Sequence, residues 1–418
     1  MSILSDQLLR SLMAVGEVDV LVGLPTLNHA DTVGSSVRAV QVAFHRELAR
    51  ERTLFLNVDG GSTDGTAEAV RDAAAVEREV VLASQSLRTR HRISTPYHGV
   101  PGKAGALRTL FAAADLLHAR VVVVLDPEVT SVSPEGVAAL ARPVLSGEAQ
   151  FTSPAYARHP LDGPLVTQLV RPLFRSAYGL PLREPLASEL ACSDRFAAVC
   201  LERSDWESTE LRTGIDLWLA TVAALGPFRV AEVHLGPRQM ASRPRPPLST
   251  LLPQVLQALF RFMTDDERVW PHRDTPDPVA LHRGASENPA PPGPLDLAEF
   301  ARAFRDGVDA LAPILAGALE RETLAQLCAA GASPLPRVSD PLWTETVCEL
   351  AAAYRSGRVS HEHLLQASVP LYLGRVAAFA GECAALPVEA VESRLEQLAL
   401  HFERSKPRLV ELWTAAMR

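Results

Sequence analysis

The sequence predicts an α/β protein, a mostly parallel sheet with helices on both faces, followed by a helical C-terminal region. Three observations carry this. Short β-branched runs alternate with amphipathic segments as far as Leu125, the pattern of strands joined by crossover helices. Three of those runs end on polar clusters, and ligands of open parallel sheets bind at the carboxyl ends of strands. Beyond a Pro-rich stretch at 270–295, the chain is rich in Ala and Leu with a helical period.

In order, residues 18–24 (VDVLVGL) read as a buried strand ending at Pro25. Asp31 is expected to cap a helix to about Leu48, with Val33, Val37, Val40 and Phe44 at helical spacing. A second strand, Thr53 to Val58, runs into the turn DGGSTDGT, and Asp64 caps a helix from Thr66 to about Val76. Val80 to Ala83 reads as a third strand and 84–98 as a polar stretch. Pro101-Gly102-Lys103 opens a helix to about His118, and Val121 to Leu125 is the most apolar strand, ending on Asp126-Pro127-Glu128. After Phe151 the alternation loosens. Residues 165–178, 215–225 and 248–263 read as helical and 228–235 as a strand.

A chain of 418 residues suits one large α/β domain with a helical appendage, and 47% hydrophobic with 22% charged residues is globular composition. A net charge of −8, spread along the chain, argues against a nucleic-acid or anionic-membrane partner, which a basic face would hold. The five cysteines form no CxxC pair, which speaks against a zinc knuckle and for reduced thiols. Asp6, Arg10 and Glu17 interrupt the N-terminal apolar residues, so no signal peptide is read there, and no apolar run has membrane-spanning length. A cytoplasmic location is the expectation.

Three polar constellations are expected on one edge of the sheet: Pro25-Thr26-Leu27-Asn28, Asp59 with its glycines, and Asp126 with Glu128. Asp59 stands where a carboxylate accepts hydrogen bonds from a base or ribose; the alternative is a turn-forming residue, and the ligand role is preferred. Gly102-Lys103 at a helix start suits a phosphate, although alone a solvent-facing lysine is the plainer reading. Asp126 and Glu128, one residue apart at a strand end, suit Mg²⁺ or Mn²⁺ shared with a diphosphate, against the alternative of a strand-ending turn. Asp216 falls in the first turn of a helix opened by Arg212-Thr213-Gly214, where a carboxylate also suits the helix dipole. Arg158, Thr167 and Arg171 suit a small anionic acceptor, against the alternative of solvated surface.

The succession VLVGLPTLNHADTV, LNVDGGSTDGT, PGKAGALRTLFAAA and VVVVLDPE resembles the retaining GT-A glycosyltransferases that make glycosylated glycerates: mannosylglycerate, glucosylglycerate and glucosyl-3-phosphoglycerate synthases. The resemblance continues through VTQLVRPLF, EPLASEL, GIDLWLATVAALG and VHLGPRQMASRP, over about residues 18–265. It implies a Rossmann-like GT-A domain at 1–268, a linker or excursion at 269–295 and a helical region at 296–418. It also implies a nucleotide pocket from Pro25, Leu27, Asn28, Asp59, Lys103 and Asp126, and a metal site at Asp126 and Glu128. Arg158 and Thr167 would face the acceptor carboxylate, and Asp216 would hold the donor sugar at the reacting centre. Three departures stand out. Glu128 replaces an aspartate, Ala187-Ser188 replace two glycines, and Met240 stands where a metal-binding histidine is expected. Leu165 replaces an arginine that binds a phosphorylated acceptor, which favours glycerate over 3-phosphoglycerate.

The expected activity is transfer of a hexose, with retention, from a UDP- or GDP-linked donor to glycerate or a similar small hydroxy acid. Mg²⁺ or Mn²⁺ is the implied cofactor, and the helical region fits a structural or homodimer-forming role. The alternative is a catalytically weakened homologue that binds nucleotide sugar as a sensor or partner subunit.

Overall fold

The structure, a computed structural model, describes residues 3–75, 90–96, 102–242, 247–273, 279–282 and 295–417. It divides into two compact units: 1–157, 186–243 and 279–289 form the first, and 158–185, 244–278 and 290–418 the second. Both are discontinuous in sequence, unlike the linear division at 268 and 295.

The first unit is an α/β sheet protein. Its strands are β1 Val20–Thr26, β2 Thr53–Asp59, β3 Arg90–Pro96, β4 Val121–Val124, β5 Phe151–Ala157, β6 Leu190–Ser193, β7 Val230–Pro237 and β8 Ala280–His282. They form an eight-stranded sheet in the order β3-β2-β1-β4-β6-β5-β7-β8. Neighbours pair in parallel except at β6, which runs antiparallel to both β4 and β5. The connection leaves β1 for β2 and β3 on one side, then returns to β4 on the other. That reversal between β1 and β4 opens a crevice at their carboxyl ends.

The helices of this unit are α1 Asp6–Val15, α2 Val33–Arg46, α3 Thr66–Ala75, α4 Lys103–Leu116, and α5 Pro134–Leu145. One face of the sheet (Val20, Val22, Leu24, Val121, Val123) packs on Val37, Val40 and Phe44 of α2 and Val137, Leu140 and Ala141 of α5. The four valines of β4 are wholly buried, each side chain contributing about 1.5–3 kcal/mol. On the opposite face α4 lies close to β1: a Cβ at Gly23 would come within 2.5 Å of the Leu110 side chain. The glycine therefore sets how near the sheet the helix carrying Lys103 can approach.

Several expectations change. The α2 cap position is held by Thr32, not Asp31, and the helix ends at Arg46. The strand read at Val80 to Ala83 lies outside the described residues. The polar stretch contains β3 instead, an edge strand pairing with β2 alone, where no apolar run is needed. Strands β5 and β6 have no clear sequence signal, because β5 contains Pro154 and β6 is only four residues long. Part of the Pro-rich segment is β8, which pairs with β7. Two further helices, α6 Arg171–Tyr178 in the second unit and α7 Asp194–Glu202 in the first, flank β6 in sequence. Helix α8 Leu211–Leu225 completes the first unit.

The second unit is helical: α6 is followed by α9 Leu248–Asp265 and, among the described residues, seven more helices from Leu297 to Ala415. The expected helix at 165–178 is a π turn, Val166–Val170, leading into α6. Pro172 explains the widening. It has no N–H for the Gln168 carbonyl, and its ring would crowd that oxygen. The carbonyl accepts instead from the indole of Trp343 at 2.7 Å, while the Gln168 side-chain oxygen accepts from buried Arg375 at 2.9 Å. No helix among the described residues is long and apolar enough to cross a membrane.

Candidate functional site

The loops after β1 and β2 are laced together across the sheet edge. The Asn28 amide donates to Ser62 Oγ at 2.7 Å, and Asn28 Oδ1 accepts from the Thr63 amide at 2.9 Å. Asn28 sits at φ 58°, a left-handed conformation that asparagine tolerates better than most residues. The Ala30 amide donates to Asp64 Oδ2 at 3.0 Å, and Asp64 also accepts from Thr66, so it organises this loop as well as the start of α3. Those bonds, the Thr66 hydroxyl first, hold the Asp64 carboxyl below its ordinary pKa.

Asp59 is enclosed by the same lacing. Its Oδ1 accepts from Thr26 Oγ1 (3.0 Å) and Ser62 Oγ (2.6 Å), and its Oδ2 from the amides of Gly61 (3.1 Å) and Ser62 (2.8 Å). Four bonds engage both lone pairs of each oxygen. In this arrangement Asp59 shapes the loop rather than presenting an acceptor to a ligand.

Beside these loops a cleft of about 450 Å³ opens at the β1/β4 crevice. Pro25, Leu27 and His29 line it from the first loop, Gly60 from the second, Gly102 and Lys103 from the start of α4, and Asp126, Pro127 and Glu128 from the turn after β4. Gly102, at φ 143°, holds a conformation L side chains rarely adopt, and it brings the first turn of α4 to the cleft. Of the sequence-predicted residues, Pro25, Leu27, Lys103, Asp126 and Glu128 thus meet in one cavity. Asn28 and Asp59 are not among its lining residues.

Lys103 and Asp216 form an ion pair, Nζ to Oδ1, at 2.5 Å, and Ser188 Oγ donates to Asp216 Oδ2 at 3.1 Å. Ser188, one of the two residues standing in place of glycines, lines the cleft itself. Burial raises the pKa of Asp216, and Lys103 opposes that rise.

The turn after β4 is held from two sides. The Glu128 amide donates to Asp126 Oδ1 at 2.9 Å, and the segment following β7 clamps the turn: Met240 forms an isolated antiparallel bridge with Val129, and the Ala241 amide donates to the Glu128 carbonyl at 2.8 Å. Met240 thus has its backbone beside the carboxylate pair. Two residues earlier, Arg238 places Nη2 3.7 Å from Asp126 Oδ2 and 3.6 Å from Glu189 Oε2, with its guanidinium over the Tyr156 ring. Glu189 is 2% exposed; burial raises its pKa and Arg238 pulls it back. Sequence reasoning missed Arg238, which lies 112 positions from Asp126, a separation local pattern does not bridge. It also missed His29, whose Nε2 is 3.8 Å from Glu128 Oε1.

Among the described residues, the one group of three acidic or thiol or imidazole ligands close enough to share an ion is Glu320, Glu345 and Glu349, in the second unit. Arg408 bonds Glu320 and Glu345 there, at 2.6 and 2.9 Å, which gives that cluster a structural counter-ion. At Asp126 and Glu128, no third such side chain among the described residues lies close enough to both to share an ion with them. Two carboxylates are nonetheless a sufficient protein share for Mg²⁺ or Mn²⁺ when a diphosphate supplies the remaining oxygens. The pair fits a shared ion, not an all-protein cage.

Arg158 and Thr167 belong to the second unit. Arg158 is engaged by Glu184, Nε to Oε1 at 2.7 Å, and Thr167 is half-buried within the π turn. Arg171 pairs with Glu396 at 3.4 Å.

A parallel-sheet crevice with a lysine at a helix start and two carboxylates at the neighbouring strand end lies where open α/β sheets bind their ligands. No family model matches the chain. The glucosyl-3-phosphoglycerate synthase of Mycobacterium tuberculosis is 30% identical over 255 residues, 57% of this chain and 71% of the relative. That of Mycolicibacterium paratuberculosis is 29% identical over 257 residues, 57% of this chain and 70% of the relative. The chain belongs to the glucosyl-3-phosphoglycerate synthase family and is a glycosyltransferase. Solved structures similar to it include the mannosyl-3-phosphoglycerate synthase of Rubrobacter xylanophilus, at 22% identity and a TM-score of 0.43, covering 65% of this chain and 81% of that one. Another is the M. tuberculosis glucosyl-3-phosphoglycerate synthase with phosphoglyceric acid, at 23% identity and 0.40, covering 63% and 84%.

Proposed function

We propose that the chain transfers a hexose, with retention, from a UDP- or GDP-linked donor to glycerate or a closely related hydroxy acid. The observation that carries this is the meeting of Lys103, Asp126 and Glu128 with the β1 loop in one cleft of about 450 Å³. The acidic pair would hold Mg²⁺ or Mn²⁺, which neutralises charge on the departing diphosphate.

The chain's own residues supply the rest. Pro25, Leu27 and the laced loop shape the nucleotide end of the cleft. Lys103 brings an ammonium to the diphosphate, and its bond to Asp216 ties that charge to the sugar end. Asp216, fixed also by Ser188, accepts hydrogen bonds from donor hydroxyls and holds C1 toward the acceptor. In the transfer, the bond from C1 to the diphosphate oxygen breaks and the acceptor oxygen bonds to C1 on the same face. The acceptor's hydroxyl proton leaves with the diphosphate. The relatives are named for 3-phosphoglycerate; Leu165, in place of an arginine, favours unphosphorylated glycerate here.

The test is a product assay pairing UDP-glucose or GDP-glucose with D-glycerate or 3-phosphoglycerate in Mn²⁺ buffer, read by mass spectrometry. A glucosylated glycerate is expected, formed faster than its phosphorylated counterpart. Nucleotide binding with neither transfer nor donor hydrolysis would replace this reading with the sensor or partner-subunit alternative.

A further inference from the structure

Met240, in the segment after β7, stands where the family resemblance implies a metal-binding imidazole, and an imidazole of different chemistry enters the cleft from the β1 loop. His29 lines the cleft and is 12% exposed. Its Nδ1 accepts from the Leu27 amide at 3.0 Å, and its own amide donates to Thr66 Oγ1 at 2.8 Å, so the ring is fixed from within the loop. A ring nitrogen that accepts an amide proton carries the lone pair, which leaves the proton of the neutral ring on Nε2. Nε2 is the atom that approaches Glu128, at 3.8 Å. A metal-ligating histidine has the reverse arrangement: its outer nitrogen donates to a neighbour and the other offers its lone pair to the ion. His29 is therefore not a substitute metal ligand.

We infer that His29 is a donor-binding residue whose Nε2–H donates to a phosphate oxygen of the nucleotide diphosphate beside Glu128. This deepens the transfer reading above and rests on it. The electrostatics favour it: Glu128 repels a diphosphate, so the cleft needs N–H donors facing the same space. Lys103 supplies one from α4 and His29 another from the β1 loop.

The experiment is calorimetric titration of the full chain with UDP and uridine, and with GDP and guanosine, each in Mn²⁺ and in EDTA. His29→Leu is expected to weaken binding of the preferred nucleoside diphosphate about tenfold in both buffers, as for loss of a charge-assisted hydrogen bond, and to leave nucleoside affinity unchanged. His29→Gln, which can accept from Leu27 and still donate outward, should stay within about threefold of the wild type. An unchanged diphosphate affinity in His29→Leu overturns the inference. So does an equal loss for diphosphate and nucleoside, which would make His29 a loop brace, and so does a loss confined to Mn²⁺ buffer, which would make it a metal ligand. A wild-type protein that binds neither UDP nor GDP contradicts the transfer reading itself, a result distinct from all three.

Discussion

Replacing Arg238 with Met is expected to destabilise the protein by about 3 kcal/mol or more, seen as a lowered urea midpoint. The substitution keeps much of the side chain's length over Tyr156 but removes the cation between Asp126 and Glu189. Glu189 is 2% exposed, and a buried carboxylate that loses its counter-charge typically costs about 3–5 kcal/mol. Adding Glu189→Gln to that variant should recover a large part of the loss, because the unpaired charge is then gone. A double-mutant cycle with no coupling would show that the two residues act independently. The same variant should also weaken the nucleotide site, since Asp126 loses the group that faces its outer oxygen.

Replacing Asp216 with Ala should lower glucosyl transfer by about a hundredfold or more while changing UDP or GDP affinity far less. The carboxylate is held by Lys103 and Ser188, so its position is set before any sugar arrives. Loss of one preorganised polar group at a reacting centre costs about 10²–10³ in turnover. Asp216→Glu should restore a fraction at most, because the longer arm cannot keep the 2.5 Å bond to Lys103 without moving the lysine. If Asp216→Ala lost stability but kept its turnover, the pair would be a strut between α4 and α8 and nothing more.

Much of the first unit is legible in the sequence because its central strands are buried on both faces. Strands β1, β2 and β4 must then be almost continuously apolar, and each breaks into polar residues where the sheet ends. The same break marks Asp126 and Glu128, whereas Lys103 is marked by the Pro101-Gly102 that opens its helix. Strand β3 escapes notice because an edge strand can be polar, and β6 because four residues joining β4 to β5 leave no period to detect. The second unit's helices show their period, but not that segments 158–185 and 244–278 join them.

At the site the limits are of another kind. Asp59 is visible as a carboxylate at a strand end, but its four partners include backbone amides of its own turn, whose direction no sequence pattern gives. Arg238 and His29 act through contacts across the sheet edge. The chemistry of His29 depends on which of its nitrogens an amide reaches.

We propose that the cleft between the ends of β1 and β4 holds a nucleoside diphosphate against the Asp126–Glu128 pair. A crystal grown with UDP or GDP and Mn²⁺, with data collected for the anomalous signal of manganese, tests this. The nucleotide is expected in the cleft of about 450 Å³, with Lys103 at its phosphates and a manganese peak bonded to Asp126, Glu128 or both. A nucleotide seated elsewhere, or one in the cleft with no manganese at those carboxylates, would contradict it.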